Sequence, residues 1–104
     1  MMNERAMLEA FEDCDNYIAI ACDDLEECIQ LCELLSDNEI SDIDGDDYMG
    51  EDVQDHIGCL VGLGFPIIFT AEGYINNSGF DMERLDLHKF SDVMNKNKFA
   101  VDLI

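Results

Sequence analysis

Residues 17–28 read YIAIACDDLEEC, a short apolar run followed by four carboxylates among apolar positions. The run at 17–22 is rich in β-branched and aromatic side chains, which favours a buried strand. The acidic pair that follows is a helix cap, and two further carboxylates fill the first turn, where they interact favourably with free amides and the helix dipole. The predicted helix continues to about Leu35. Its apolar positions have helical spacing: Leu25, Cys28, Ile29, Cys32 and Leu35.

Further elements are predicted on both sides of this unit. Apolar spacing indicates helices over residues 4–14 and 51–63, although Gly58 and Gly62 lower the helix propensity of the second one. The remaining segments are predicted as a strand at 65–70, a hairpin formed by 74–75 and 80–82, a strand or helix at 85–90, a helical turn capped at 91–92 and a closing strand at 99–104.

This order of elements predicts an α/β (α+β) fold. The whole chain, residues 1–104, is expected to form a single small domain, a length that suits one hydrophobic core. A three- to four-stranded sheet with helices packed on one face follows from the alternation of strands and helices. An acidic loop interrupts the pattern at about 37–52.

The charge of the chain restricts its partners. It holds 25 acidic and 5 basic residues, a formal charge of −20. Direct binding of DNA or RNA needs Lys and Arg to neutralise phosphates, so that class is excluded, and an anionic membrane surface is disfavoured for the same reason. The excess of acidic over basic residues is also localised. Residues 1–55 hold 19 acids and one base, whereas residues 56–104 hold 6 acids and four bases.

The densest acidic segment is residues 37–55, with 9 acids and no base. Carboxylates spaced over a rigid surface can occupy the phosphate sites of a basic groove, and an aromatic side chain such as Tyr48 often anchors an interface. We therefore expect a partner-binding surface here, with a solvated loop that only aids solubility as the alternative. The predicted partner-binding residues are Asp37, Glu39, Asp42, Asp44, Asp46, Asp47, Tyr48, Glu51, Asp52 and Asp55.

Enzymatic motifs are missing from the sequence. There are two histidines and no Gly-flanked Ser nucleophile. The pair Gly62 and Gly64 leads into a predicted strand, whereas a phosphate-binding loop leads into a helix. We therefore expect no enzymatic activity and no cofactor.

Two kinds of metal site are alternatives. Cys28 and Cys32, one helical turn apart, can join His56 and Cys59 as zinc ligands, but the two cysteines also lie on the apolar stripe of their helix, where a free Cys packs as a small hydrophobe. Residues 42–47 have the acid density of a calcium loop. If Gly45 takes the sixth position of such a loop, however, the first position falls on an isoleucine, which cannot coordinate.

The cysteines and the amino-terminal residues bear on the compartment. Residues 1–10 carry three charged side chains, and no apolar stretch of a signal peptide follows them. The longest uncharged stretch, residues 56–71, is too short to span a bilayer. Five cysteines, an odd number without a secretory context, favour reduced thiols and a cytoplasmic location.

In length, acidity and the strand–acidic cap–helix opening at 17–28, the chain resembles the small acidic inhibitors that phages encode against host defences, the anti-restriction and anti-CRISPR proteins. The resemblance concerns the composition of the whole chain. It implies that the partner is a nucleic-acid-binding enzyme of the host, that binding blocks its substrate groove, and that the host cytoplasm is the location.

A second resemblance is local. The segments YMGE at 48–51, CLVG at 59–62 and PIIF at 66–69 are similar to the middle of barstar-type ribonuclease inhibitors. Those proteins are also small, acidic and α/β, with the first and last strands in one sheet. The inhibitory acids of that family would fall on Gln54 and Gly58 here, so this resemblance supports the fold class and not the target.

The sequence therefore predicts a non-enzymatic acidic inhibitor that binds the basic nucleic-acid-binding surface of a partner protein or nuclease complex by DNA or RNA mimicry. Direct contact with nucleic acid or a membrane is not expected. The alternatives are a zinc- or calcium-binding module and an acidic assembly subunit without mimicry, and a homodimer is also left open.

Overall fold

The central strand of the sheet is β1 (Ile18–Cys22), whose five residues are all buried. A strand that is covered on both faces needs apolar side chains at every position, which explains the uninterrupted apolar run in the sequence. The chain leaves β1 through Asp23 and Asp24 and enters α2 (Leu25–Asp37).

The computed structural model describes residues 2–13, 18–42, 44–71, 73–76 and 86–94. These residues form the α+β fold predicted from the sequence, with four helical segments and four strands. Apart from β1 and α2, the elements are α1 (Glu4–Glu12), α3 (Glu51–Val61), β2 (Ile67–Thr70), β3 (Gly73–Asn76), β4 (Asp86–Lys89) and a helical turn over residues 90–94.

The strands form one mixed sheet in the order β3-β2-β1-β4. The β1–β2 and β2–β3 pairs are antiparallel, with Cys22 opposite Ile67, and the β1–β4 pair is parallel, with Ala21 opposite Lys89. The segment that fitted either a strand or a helix is therefore the strand β4. The strand β3 pairs with β2, whereas the sequence paired it with 80–82; those residues and the predicted strand at 99–104 lie outside the described residues.

The start of α2 has the hydrogen bonds that its sequence predicts. Asp24 Oδ1 accepts the backbone N–H of Glu27 at 2.8 Å, and Glu27 Oε1 accepts that of Asp23, also at 2.8 Å. The two bonds satisfy amides that have no partner inside the helix, a contribution of about 1 kcal/mol for the cap.

The end of α2 is set by Glu39, whose φ of 59° lies in the left-handed region. The N–H of Ile40 donates to the carbonyl of Leu35 at 2.9 Å, and the N–H of Glu39 donates to that of Ser36 at 3.0 Å. This pair of bonds is a Schellman motif, which usually has glycine at the left-handed position.

The helices pack on one face of the sheet, as predicted. Alternate residues of β1 and β2, including Ile20 and Phe69, share one buried cluster with the inner faces of α1, α2 and α3 and with the turn at 90–94. The opposite face of the same strands has a small second cluster: Ala19, Ala21 and Ile68. In the described part of the chain, no helix is both long enough and apolar enough to cross a bilayer.

The position of the acidic loop follows from the length of α2. This helix starts beside the end of β1 and has 13 residues, so it extends about 20 Å along the sheet. The loop between α2 and α3 therefore lies at the end of the sheet where β1 begins and β2 ends.

Candidate functional site

The predicted acidic surface lies on the loop between α2 and α3 and on the exposed side of α3. A bridge between Ser41 and Asp47 closes the loop. The next residue, Tyr48, is fully buried. Its ring packs against Phe69 and Tyr74, with centroids 6.1 Å apart in both pairs. Tyr48 therefore fixes the loop to the sheet.

Asp42 organises the tip of this loop. Its Oδ1 accepts the N–H of Asp44 at 3.0 Å and the N–H of Asp46 at 2.9 Å. Its carbonyl accepts the N–H of Gly45 at 2.9 Å, and the φ of 84° at Gly45 is one that glycine adopts without strain. As a result, carboxylate oxygens of Asp42, Asp44 and Asp46 lie within 4.8 Å of one another.

No basic side chain offsets this charge within the described residues, whose two bases are Arg5 and Lys89. Arg5 Nε lies 3.3 Å from Glu9 on α1, and Lys89 Nζ lies 3.9 Å from Asp23, beyond the far end of β1. Two like charges about 4 Å apart repel by about 1 kcal/mol in water and more beside a protein surface. A cationic group that binds at the tip relieves this repulsion.

The structure gives most of the predicted partner-binding residues the exposure that contact with a partner requires. Asp42 is partly buried. The exposed members are Asp37, Glu39, Asp44, Asp46, Asp47, Glu51, Asp52 and Asp55.

Tyr48 is the member that does not fit the prediction. Its side chain has no exposed surface, so it cannot anchor a partner as expected from the sequence. Met49, the next residue, is 39% exposed and is the large apolar side chain that the described residues of this loop present to solvent.

Two hollows flank Asp47. One, of about 240 Å³, is lined by Ser36, Glu39, Ile40, Ser41, Gly45 and Asp47. The other, of about 210 Å³, is lined by Asp46, Asp47, Gly50, Glu51, Asp52 and Val53. Small-molecule sites usually enclose about 300–1,000 Å³. Each hollow is smaller than that and has carboxylates in its lining, so its size and charge suit a single basic side chain.

Asp47 is held in place by hydrogen bonds. Its Oδ1 accepts the N–H of Met49 at 3.1 Å. A bond from the Ser36 hydroxyl and the bond from that amide lower the pKa of Asp47 below its ordinary value. The carboxylate between the two hollows therefore stays ionised to lower pH.

An aromatic cluster connects the loop to the sheet and to α3; its members are Tyr48, Phe69, Tyr74 and His56. His56 Nδ1 lies 3.3 Å from the Tyr74 hydroxyl, and their ring centroids are 5.3 Å apart. Gln54 Nε2 donates to the carbonyl of Tyr48 at 2.6 Å. The sequence analysis did not predict this role of Gln54. The signal that could have indicated it is a polar side chain shortly after Tyr48, the buried residue that fixes the loop.

The Tyr48 hydroxyl is the unusual atom of this cluster. It is buried, and within the described residues it has no hydrogen-bond partner. Burial raises the pKa of Tyr48, and the charge of Asp42 raises it further. Burial and then Asp42 also raise the pKa of Tyr74.

The predicted zinc ligands do not assemble. Cys28 and Cys32 are buried under α2, whereas His56 and Cys59 are exposed on α3. The described residues bring no three of these four side chains within ligand distance of a common ion. The two cysteines on α2 are core residues, as the alternative interpretation of the apolar stripe predicted.

The pKa shifts of the buried thiols differ in direction. A hydrogen bond with Cys28 and burial raise the pKa of Cys22, and burial raises that of Cys32 to about 12. The hydrogen bond with Cys22 lowers the pKa of Cys28. The thiolate is the reactive form of cysteine, so the raised pKa values favour the unreactive thiol at Cys22 and Cys32. Cys59 is the exposed free cysteine among the described residues.

Comparison of the chain with protein-family models, with curated proteins and with solved structures gives no match.

Proposed function

We propose that the protein is a non-enzymatic inhibitor whose acidic surface binds the basic nucleic-acid-binding surface of a partner protein. The observation that carries this proposal is the tip of the α2–α3 loop, where hydrogen bonds hold three carboxylates close together and no base of the described residues lies beside them. Fixed charges of this kind lose little conformational entropy on binding, and they can replace phosphates in a basic groove.

The two hollows beside Asp47 support the same proposal. Each has the volume of a single side chain and carboxylates in its lining. Lys or Arg side chains of the partner enter these hollows, and the exposed Met49 of the same loop supplies an apolar contact. The resemblance to small acidic phage inhibitors favours a nucleic-acid enzyme of the host as the partner and the cytoplasm as the location.

The first experiment identifies the partner by affinity capture from the source cell and then measures its binding to the purified chain. Association driven by charge is fast and slows steeply as salt is added. The nucleic acid of the partner and the inhibitor should compete for one site. Simultaneous binding of both would contradict mimicry, and self-association without a partner would support the assembly subunit instead.

A pair of variants with equal net charge tests the location of the surface. The first reverses three charges on the proposed surface: Asp44→Lys, Asp46→Lys and Asp55→Lys. The second reverses three exposed charges on and just after α1: Glu9→Lys, Glu12→Lys and Asp13→Lys. The first should weaken binding by about 100-fold or more and the second by less than about tenfold, because lost contacts outweigh lost steering. Equal losses of binding in the two variants would show that binding depends on the net charge of the chain and not on where the charges lie.

A further inference from the structure

The end of α3 and the segment that joins it to β2, residues 60–66, form an exposed apolar turn. Leu63 is 73% exposed, the highest value among the large apolar side chains of the described residues, and Phe65 is 41% exposed. Isolated apolar side chains are common on protein surfaces, whereas adjacent ones are typical of a contact surface. Three further apolar residues of the turn are half-buried beside them: Leu60, Val61 and Pro66.

Backbone hydrogen bonds fix the conformation of the apolar turn. The N–H of Leu63 donates to the carbonyl of Leu60 at 2.9 Å, and the N–H of Gly64 donates to that of Val61 at 3.1 Å. Gly64 has a φ of 115°, a conformation that glycine adopts without strain. A backbone that is fixed before binding loses less conformational entropy when another molecule covers it.

The shape of the apolar turn is self-complementary. Leu63 lies between two residues without side chains, Gly62 and Gly64. A Cβ atom at Gly64 would have no atom within 4 Å, so there is open space beside Leu63. Leu63 of one chain therefore fits beside Gly64 of a second chain, and the reverse contact forms at the same time.

The charge distribution favours a second copy of the chain as the occupant. Residues 56–71 contain no Asp, Glu, Lys or Arg, although the chain has a formal charge of −20. In a two-fold dimer the same surface of both copies meets, so any charge there would face a like charge. The helix α3 separates the apolar turn from the acidic loop by about 16 Å, more than one Debye length at about 0.1 M salt.

We propose that the apolar turn is a self-association surface through which two copies form a weak two-fold dimer. Leu63 and Phe65 of one copy pack against the same turn of the other. A standard interface uses about 20–30 residues of each partner, and the apolar turn is much shorter, so the dissociation constant is about 10⁻⁴ to 10⁻³ M. The chain is therefore mostly monomeric at micromolar concentration. This dimer does not rest on the proposed function.

Sedimentation equilibrium of the full chain tests the dimer, at chain concentrations up to about 10⁻³ M and in about 0.05 M and 0.5 M NaCl. A monomer–dimer equilibrium is expected, and it should tighten by about threefold or more at the higher salt, because salt screens the repulsion between two acidic chains. Binding of a basic partner weakens with salt, so the two proposals can fail separately. A chain that stays monomeric at both salt concentrations, or forms larger assemblies, would overturn the dimer.

Two matched substitutions locate the contact. Leu63→Gln should weaken dimerisation by about tenfold or more, because each dimer then loses two buried leucine side chains. Leu87→Gln makes the same change on β4, at a side chain that is 44% exposed, and should change dimerisation by less than about twofold. Equal effects of the two variants would overturn the location. In amide NMR, dilution of the wild-type chain should shift Leu63 and Phe65 most; shifts confined to other residues would also overturn it.

Discussion

The Tyr48 hydroxyl, which has no hydrogen-bond partner in the part of the chain that the structure describes, gives a prediction whose sign is opposite to that of most core substitutions. The ring contacts Phe69 and Tyr74 and is fully buried, so Tyr48→Phe keeps the packing and removes only the hydroxyl oxygen. A buried polar group without a partner destabilises the folded state by about 1–3 kcal/mol. We therefore expect Tyr48→Phe to increase the free energy of unfolding by about 1 kcal/mol.

Urea unfolding followed by circular dichroism in a buffer with EDTA measures this change. For a domain of this size, about 1 kcal/mol corresponds to a rise in Tm of about 4–8 °C. The matched control is Tyr74→Phe, which removes a hydroxyl that has a partner, His56 Nδ1 at 3.3 Å, and should lower the stability by up to about 1 kcal/mol.

A loss of stability in Tyr48→Phe equal to that in Tyr74→Phe would refute the reasoning, because it would show that the Tyr48 hydroxyl has a partner in solution.

Three further predictions concern stability. Glu39→Gly should stabilise the chain to urea by about 0.5–1 kcal/mol, because glycine adopts the left-handed end of α2 without strain; a loss would contradict that conformation. Phe69→Ala should lower the free energy of unfolding by about 3–5 kcal/mol, whereas Leu63→Ala, at a side chain that is 73% exposed, should change it by less than about 0.5 kcal/mol. The lowered pKa of Asp47 stabilises the fold above the pKa of an unfolded aspartate, and this contribution is lost as the pH falls through the lower folded value. Ser36→Ala should therefore raise the pKa of Asp47 in a carboxyl NMR titration, and an unchanged value would remove the hydroxyl as a cause.

The parts of the fold that the sequence predicts well are those with strong local signals. The apolar run of β1 and the acidic cap of α2 are such signals, and α3 forms through Gly58 because burial of Val53 and Ile57 outweighs one unfavourable residue. The strand β4 was ambiguous because three of its four side chains are exposed and polar and apolar residues mix in it. Its pairing with β1 joins segments that are far apart in the sequence, and the local sequence does not encode such a contact.

The charged character of the candidate surface could be expected from the sequence, whereas the conformation of its loop could not. The density of carboxylates between residues 37 and 55 predicted a charged surface, and the exposure of Asp44 and Asp46 agrees with that. The sequence could not show that Tyr48 turns inward, because an aromatic side chain in an acidic loop suits an interface and a core equally well. It also could not show that the Asp42 carboxylate accepts the N–H groups of Asp44 and Asp46 and so brings the three carboxylates together.

The order of strands in the sheet has a consequence for the chain during its synthesis. The most apolar strand, β1, lies between β2 and β4, and Ile18 pairs with Asp86. On the ribosome, β1 therefore emerges long before either neighbour and is for that time an uncovered strand of the kind that aggregates. By residue 55 the growing chain has already accumulated 19 acids against one base. Repulsion between incomplete chains of such charge keeps them apart until β1 is covered, so the acidic amino-terminal half protects the protein before it has a fold.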